Sequence, residues 1–168
     1  MSQLLKISVV IALLNASLVS AKSTFELENK TKKTINATNI QEQDEHRKIK
    51  KKEDKNVKPE KTEKLFSIER TSSYSKSFTK PSKGQADIYV DGKGPIKLRA
   101  TSEIGEIRAG KMGWSVSVPD DLKEKFIVQA KRYKKWNWRH DNVRITIRTP
   151  SAFESISRKT TEKRKALQ

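Results

Sequence analysis

The amino-acid sequence predicts an all-β protein: a small β-sandwich or partly open barrel of about seven short antiparallel strands, with a charged, disordered insert and a basic C-terminal tail. Three observations lead there. Apolar and polar residues alternate with period two in several short runs, most clearly Met112, Trp114, Val116 and Val118 against Gly113, Ser115 and Ser117. Turn signals recur between the runs, as in Pro81-Ser82-Lys83-Gly84 and Asp91-Gly92-Lys93-Gly94. Outside the insert and the tail, residues 22–40 and 65–155 together number roughly 110, a size that sustains one hydrophobic core.

The first 21 residues, MSQLLKISVVIALLNASLVSA, read as an export signal. Lys6 precedes an apolar run from Ile7 to Leu14, and Val19-Ser20-Ala21 forms the small-x-small pattern cut by signal peptidases. The run is too short to span a bilayer as a helix. Cleavage after Ala21 would leave a secreted or periplasmic chain beginning at Lys22. The chain has no cysteine, which excludes disulfides and a thioether lipid anchor, so the exported domain relies on its core. Asn29-Lys30-Thr31 and Asn36-Ala37-Thr38 match the glycan acceptor pattern.

Residues 22–40 predict an N-terminal hairpin belonging to the main domain. Phe25 and Leu27 face one way, Glu26 and Glu28 the other, and Ile35 and Ala37 resume the pattern after a polar turn. Residues 41–64 differ: nine Lys/Arg and seven Asp/Glu share the stretch with Ile49 and Val57 as its only aliphatic residues. Such a segment buries too little apolar surface to offset its ordering entropy, and reads as a charged linker or loop. The main domain, 65–155, opens with Leu65, Phe66 and Ile68. A hairpin follows, Ile88 and Val90 leading into Asp91-Gly92 and back through Ile96, Leu98 and Ala100. Val143, Ile145 and Ile147 alternate with Arg144, Thr146 and Arg148 until Pro150, which cannot donate to a ladder.

Residues 119–133 fit two patterns. Leu122, Phe126, Ala130 and Tyr133 recur at helical spacing behind Pro119 and two acids; alternatively a turn leads to a strand with Phe126, Val128 and Ala130 on one side. Adjacent Ile127 and Val128 favour the strand, pairing with 143–149. Residues 156–168 form the basic tail.

Catalytic signals are weak. No Gly-x-Ser-x-Gly elbow is present, His46 and His140 lie in unrelated segments, and the acid pairs Glu103/Glu106 and Asp120/Asp121 read as a polar loop and as a turn or helix start. No cofactor and no metal site is expected. Charge is the stronger signal. Lysine and arginine number 37 against 20 acids, a formal net charge of +17. Residues 131–148 gather Lys131, Arg132, Lys134, Lys135, Arg139, Arg144 and Arg148 against Asp141 alone, interleaved with Tyr133, Trp136 and Trp138. Cations among aromatics suit an anionic polymer, releasing counterions from the phosphates or sulfates while rings stack on bases or sugars. These ten residues are the candidate anion-binding segment.

The competing reading makes Trp136 and Trp138 core residues. A strand continued in register from Phe126 would draw Arg132 and Lys134 inward with them, so a bend or bulge is expected. The preferred function is accordingly a non-catalytic binding or structural role, with a protein partner or a membrane surface among the candidates. The alternative is a binder of cell-surface polysaccharide, glycosaminoglycan or nucleic acid.

Overall fold

The computed structural model describes residues 21–44, 48–70, 81–102, 112–134 and 141–157. The alternating runs become ten strands in two sheets. The first sheet has the order β5 (Thr62–Arg70), β1 (Ala21–Lys30), β10 (Asp141–Arg148), β9 (Ile127–Lys134). The second runs β3 (Ile49–Lys51), β2 (Ile35–Gln43), β6 (Lys83–Val90), β7 (Lys93–Ser102), β8 (Met112–Ser117), and β4 (Lys55–Val57) also pairs with β2. A single turn of helix, α1 (Asp120–Lys123), makes the corner between β8 and β9. The sheets enclose one core as a β-sandwich and do not close into a barrel.

Burial follows the period-two pattern because each strand packs on one face only. Phe25 and Leu27 on β1, Val143, Ile145 and Ile147 on β10, and Phe66 and Ile68 on β5 line the first sheet's inner face. Ile35, Ala37, Ala86, Ile88, Val90, Ile96, Leu98 and Ala100 meet them from the second sheet. Leu65 and Phe66 are neighbours and both buried, because the β1–β5 register shifts by one residue at Phe25/Glu26. The Phe25 and Phe66 rings stack with centroids 4.6 Å apart. Gly84 lies beneath Phe66: a Cβ there would fall inside the van der Waals envelope of the ring. The β6–β7 turn places Asp91 at φ 55° and Gly92 at φ 71°, the paired left-handed conformations of a tight hairpin.

Several expectations change. The N-terminal pair is not a hairpin: β1 pairs with β5 and β10, whereas β2 pairs with β3, β4 and β6. The chain crosses between sheets at 31–34, so the apolar faces of β1 and β2 meet across the core. Nor are the pairings all antiparallel, since β1 and β10 run parallel, Phe25 beside Val143 and Leu27 beside Ile145. Strands so distant in sequence need no hairpin turn between them, and register is set by matching apolar faces. In the charged stretch, residues 49–51 and 55–57 form β3 and β4, and β5 already begins at Thr62. Val57 is fully buried and anchors that excursion, while Ile49 remains exposed. The 119–133 ambiguity resolves into both patterns in turn: Asp120 and Asp121 open α1, Leu122 caps the core, and the chain is extended from Ile127.

Asn29 holds the crossing. It is fully buried, and its amide nitrogen donates to the carbonyls of Lys33 and Val57 at 2.7 Å each. Its side-chain oxygen accepts from the Thr31 N–H at 2.9 Å and the Thr31 hydroxyl at 2.8 Å. One side chain thus ties β1, the crossing loop and β4.

Residues 152–157 are helical. Ser151 and Glu154 cap that turn reciprocally: the Glu154 carboxylate accepts from the Ser151 N–H at 2.9 Å, and the Ser151 hydroxyl accepts from the Glu154 N–H at 3.3 Å.

Candidate functional site

The candidate segment lies on β9 and β10, where the β9 side of the first sheet is an edge. Their register is regular from Arg148 opposite Ile127 to Asp141 opposite Lys134. Alternation therefore sorts the candidate residues onto two faces. Lys131, Tyr133, Arg144 and Arg148 share the outer face with Glu26 and Glu28 of β1. Arg132 has inward parity, opposite Val143.

The outer face is a ladder of paired polar groups, in which the buried Arg144 Nε alone among its side-chain nitrogens and oxygens has no hydrogen-bond partner among the described residues. Arg144 stands between two carboxylates, 3.2 Å from Glu26 and 3.9 Å from Glu28. Its guanidinium also lies 4.8 Å from the centre of the Tyr133 ring, a cation–π contact. The Tyr133 hydroxyl donates to the Glu26 carboxylate. Thr146 donates to Glu28 at 2.8 Å, and Lys30 bridges Glu28 to Glu60 at the end of the row. Only 15% of the Glu26 side chain and 20% of the Glu28 side chain remain exposed, so these contacts are better shielded than ordinary surface ion pairs. Arg148 forms a two-pronged pair with Glu154, at 2.8 and 2.6 Å.

Titration follows this geometry. Partial burial, then the Glu26 carboxylate, raises the Tyr133 phenol above its ordinary value. Burial works against the Arg144 charge, but the hydrogen bonds to Tyr133 and Glu26 outweigh it and hold the pKa above the usual arginine value. Arg148, then the Ser151 N–H, hold the Glu154 carboxyl well below the usual carboxylate range. A phenol so placed is a hydrogen-bond donor that keeps its proton, and the guanidiniums are countercharges to particular acids. The ladder is chemically suited to fixing β1, β9 and β10 in register.

The Tyr133 shift has a measurable sign. A group whose pKa is raised by folding adds stability that is complete below its unfolded value, here 10.0, and is lost as pH climbs through the folded one. In an alkaline titration followed by phenolate absorbance, one of the three tyrosines should ionise later than free phenol. That late phase should vanish in Tyr133→Phe and move to lower pH in Glu26→Gln.

Arg132 occupies the open rim between the sheets. Its guanidinium lies 4.9 Å from the Trp114 ring centre on β8 and donates to the Met112 carbonyl at 3.2 Å. The β9–β10 register shows no bulge among the described residues, and 135–140, where the expected bend or bulge could still fall, lie outside them. An inward-facing arginine is tolerated in unbroken register because β8 and β9 are both edge strands, and the side chain reaches the rim without entering the core. Lys131 is exposed on the outer face opposite Arg144. Lys134 pairs with Asp141 in the backbone register. Lys135, Trp136, Trp138 and Arg139 lie outside the described residues, as do His46, His140, Glu103 and Glu106. Asp120 forms an exposed pair with Lys123 at 2.7 Å, and the Asp120/Asp121 pair serves as a helix start.

The outer face of the second sheet bears another polar cluster. Asp87 accepts from Arg99 at 3.1 Å and from Asn39 at 2.8 Å, and Gln41 donates to Asn39 at 2.6 Å. Of the two glycan acceptor patterns, Asn29 has both amide hydrogens engaged inside the fold, whereas Asn36 is exposed on β2. Sequence reasoning did not join Glu26 and Glu28 to Arg144, and 118 positions separate Glu26 from Arg144. It also passed over Ser151-Ala152-Phe153-Glu154, a local capping-box signal that could have been read directly.

Among the described residues, no group of three or more His, Asp and Glu is arranged to hold a metal ion, and no helix is long and apolar enough to cross a membrane. Comparison with known protein families finds no family whose model matches this chain, and comparison with curated proteins finds no match.

Proposed function

We propose that this is an exported β-domain with a non-catalytic role, binding or structural. The observation that carries the reading is the outer ladder of the first sheet: the residues that looked most chemical, Tyr133, Arg144 and Arg148, are committed to Glu26, Glu28 and Glu154. Side chains spent on cross-strand order are those of a scaffold. Export rests on residues 1–21, with a mature chain starting at Lys22. Fractionation followed by intact-mass analysis tests this: protein confined to the cytoplasm with residues 1–21 still attached would remove the export arm.

A second reading, an anionic-polymer binder, draws support from the net charge of +17 and from Lys131 and Arg132 beside the 135–140 connection. Titrating the protein with heparin and with single-stranded DNA, read by tryptophan fluorescence at two salt concentrations, separates the two. The non-catalytic scaffold reading expects weak binding that disappears at moderate salt and ignores Trp136→Ala/Trp138→Ala. A strong response that persists in salt and needs both rings would replace it with the polymer reading.

A further inference from the structure

A cleft of roughly 380 Å³ opens at the end of the sandwich where β1 and β10 finish. Four separated segments build it, Thr149 after β10 being one. The β1–β2 crossing contributes Lys32 and Lys33, the β6–β7 turn contributes Asp91 and Lys93, and the corner after α1 contributes Lys125 and Phe126. Four lysines thus line a space with one carboxylate on its wall, and that carboxylate is already paired with Lys33. Phe126 and Val90 supply an apolar backing.

The Lys93–Lys125 pair is the telling feature. Both residues line the cleft, and the Lys125 charge lowers the Lys93 pKa although Asp121 and Asp91 pull it upward. Like charges held together are unfavourable until something negative lies between them. The β6–β7 turn and the corner after α1 bring the two lysines to the same cleft. The cleft is remote from the Lys131–Lys134 end of the candidate segment: Ile127 and Lys134 mark opposite ends of β9, seven steps or about 23 Å apart.

We propose that this cleft is a binding site for a phosphate or sulfate ester, with the oxyanion between Lys93 and Lys125 and the organic part against Phe126. Lys32 and Lys33 would close the oxyanion from the crossing loop. The chemistry is common to soluble sugar esters and to lipid head groups, and the experiment separates them.

Calorimetric titration at low ionic strength would compare inorganic phosphate, glucose 6-phosphate and vesicles containing phosphatidic acid. Proteins compared would be the parent, Lys93→Gln/Lys125→Gln and, at the end of β6 away from the cleft, Lys83→Gln. The parent should bind glucose 6-phosphate saturably at one site, more tightly than inorganic phosphate. The double substitution should weaken this at least tenfold, and Lys83→Gln should leave it unchanged. Removing the repelling pair should leave thermal stability equal or higher, so loss of binding would not reflect unfolding. Tighter binding to the vesicles, also lost in the double variant, assigns the ester to a head group; the opposite order assigns it to a soluble ester. Absence of saturable binding by both soluble probes, or binding that survives the double substitution, overturns the site.

Discussion

Asn29→Ala should unfold at a much lower urea concentration than the parent, with a loss of about 3 kcal/mol. The substitution removes a fully buried amide that makes four hydrogen bonds. The magnitude comes from the partners left behind. The Val57 carbonyl loses a donor inside the protein, and each buried polar group without a partner costs about 1–3 kcal/mol. The Lys33 carbonyl keeps the Thr31 hydroxyl at 3.0 Å, which limits the damage on the loop side. Asn29→Asp tests the cause. It preserves shape and the acceptor oxygen facing Thr31, but it turns carboxylate oxygen toward two carbonyls, so it should be at least as destabilising as alanine. If the aspartate variant instead matched the parent, shape and not donation would hold the crossing. The denaturant dependence should keep its slope while its midpoint moves.

The same residue shows what was legible in the sequence. Which residues are buried could be read from alternation alone: Phe25, Leu27, Val143, Ile145 and Ile147 all lie in the core as their period predicts. Which strands are neighbours could not. A period-two pattern states that a strand has an apolar face and is silent on which partner covers it, so a crossing between sheets at 31–34 and a hairpin look alike. The decision rests on Asn29, whose partners at Lys33 and Val57 have no sequence signature. The charged stretch was misjudged for a related reason. Its sparse apolar content argued for a linker, yet a buried Val57 beside Ile35, with its carbonyl held by Asn29, places β4 on β2.

The sites divide similarly. The basic aromatic segment was conspicuous because its residues are contiguous, but adjacency in a strand sends neighbours to opposite faces, parting Arg132 from Tyr133. The acids that neutralise Arg144 come from the other end of the chain. The lysine cleft was invisible because its members come from three turns, and each reads by itself as solvent-exposed charge. Contiguity overstates a site on a strand, and dispersal conceals one at a sandwich end.

Gly84→Ala should cost about 2 kcal/mol, a large effect for one methyl group. Strand glycines usually gain from alanine through reduced backbone entropy in the unfolded chain. Here the opposite sign is expected because the space is occupied: the new Cβ would collide with the Phe66 ring on the facing sheet. That ring cannot swing aside freely, since it is fully buried and stacked on Phe25. A double-mutant cycle checks the mechanism. Phe66→Leu alone should destabilise, because it leaves a partly unfilled volume at the centre of the core. Combined with Gly84→Ala it should destabilise by less than the sum, as the methyl enters the space vacated by the ring. Strict additivity would mean that Gly84 is needed for its backbone and not for the room it leaves. The sheets would then be spaced by something other than Phe66. An interaction of a kcal/mol or more would place the ring at the contact that sets how closely β5 approaches β6.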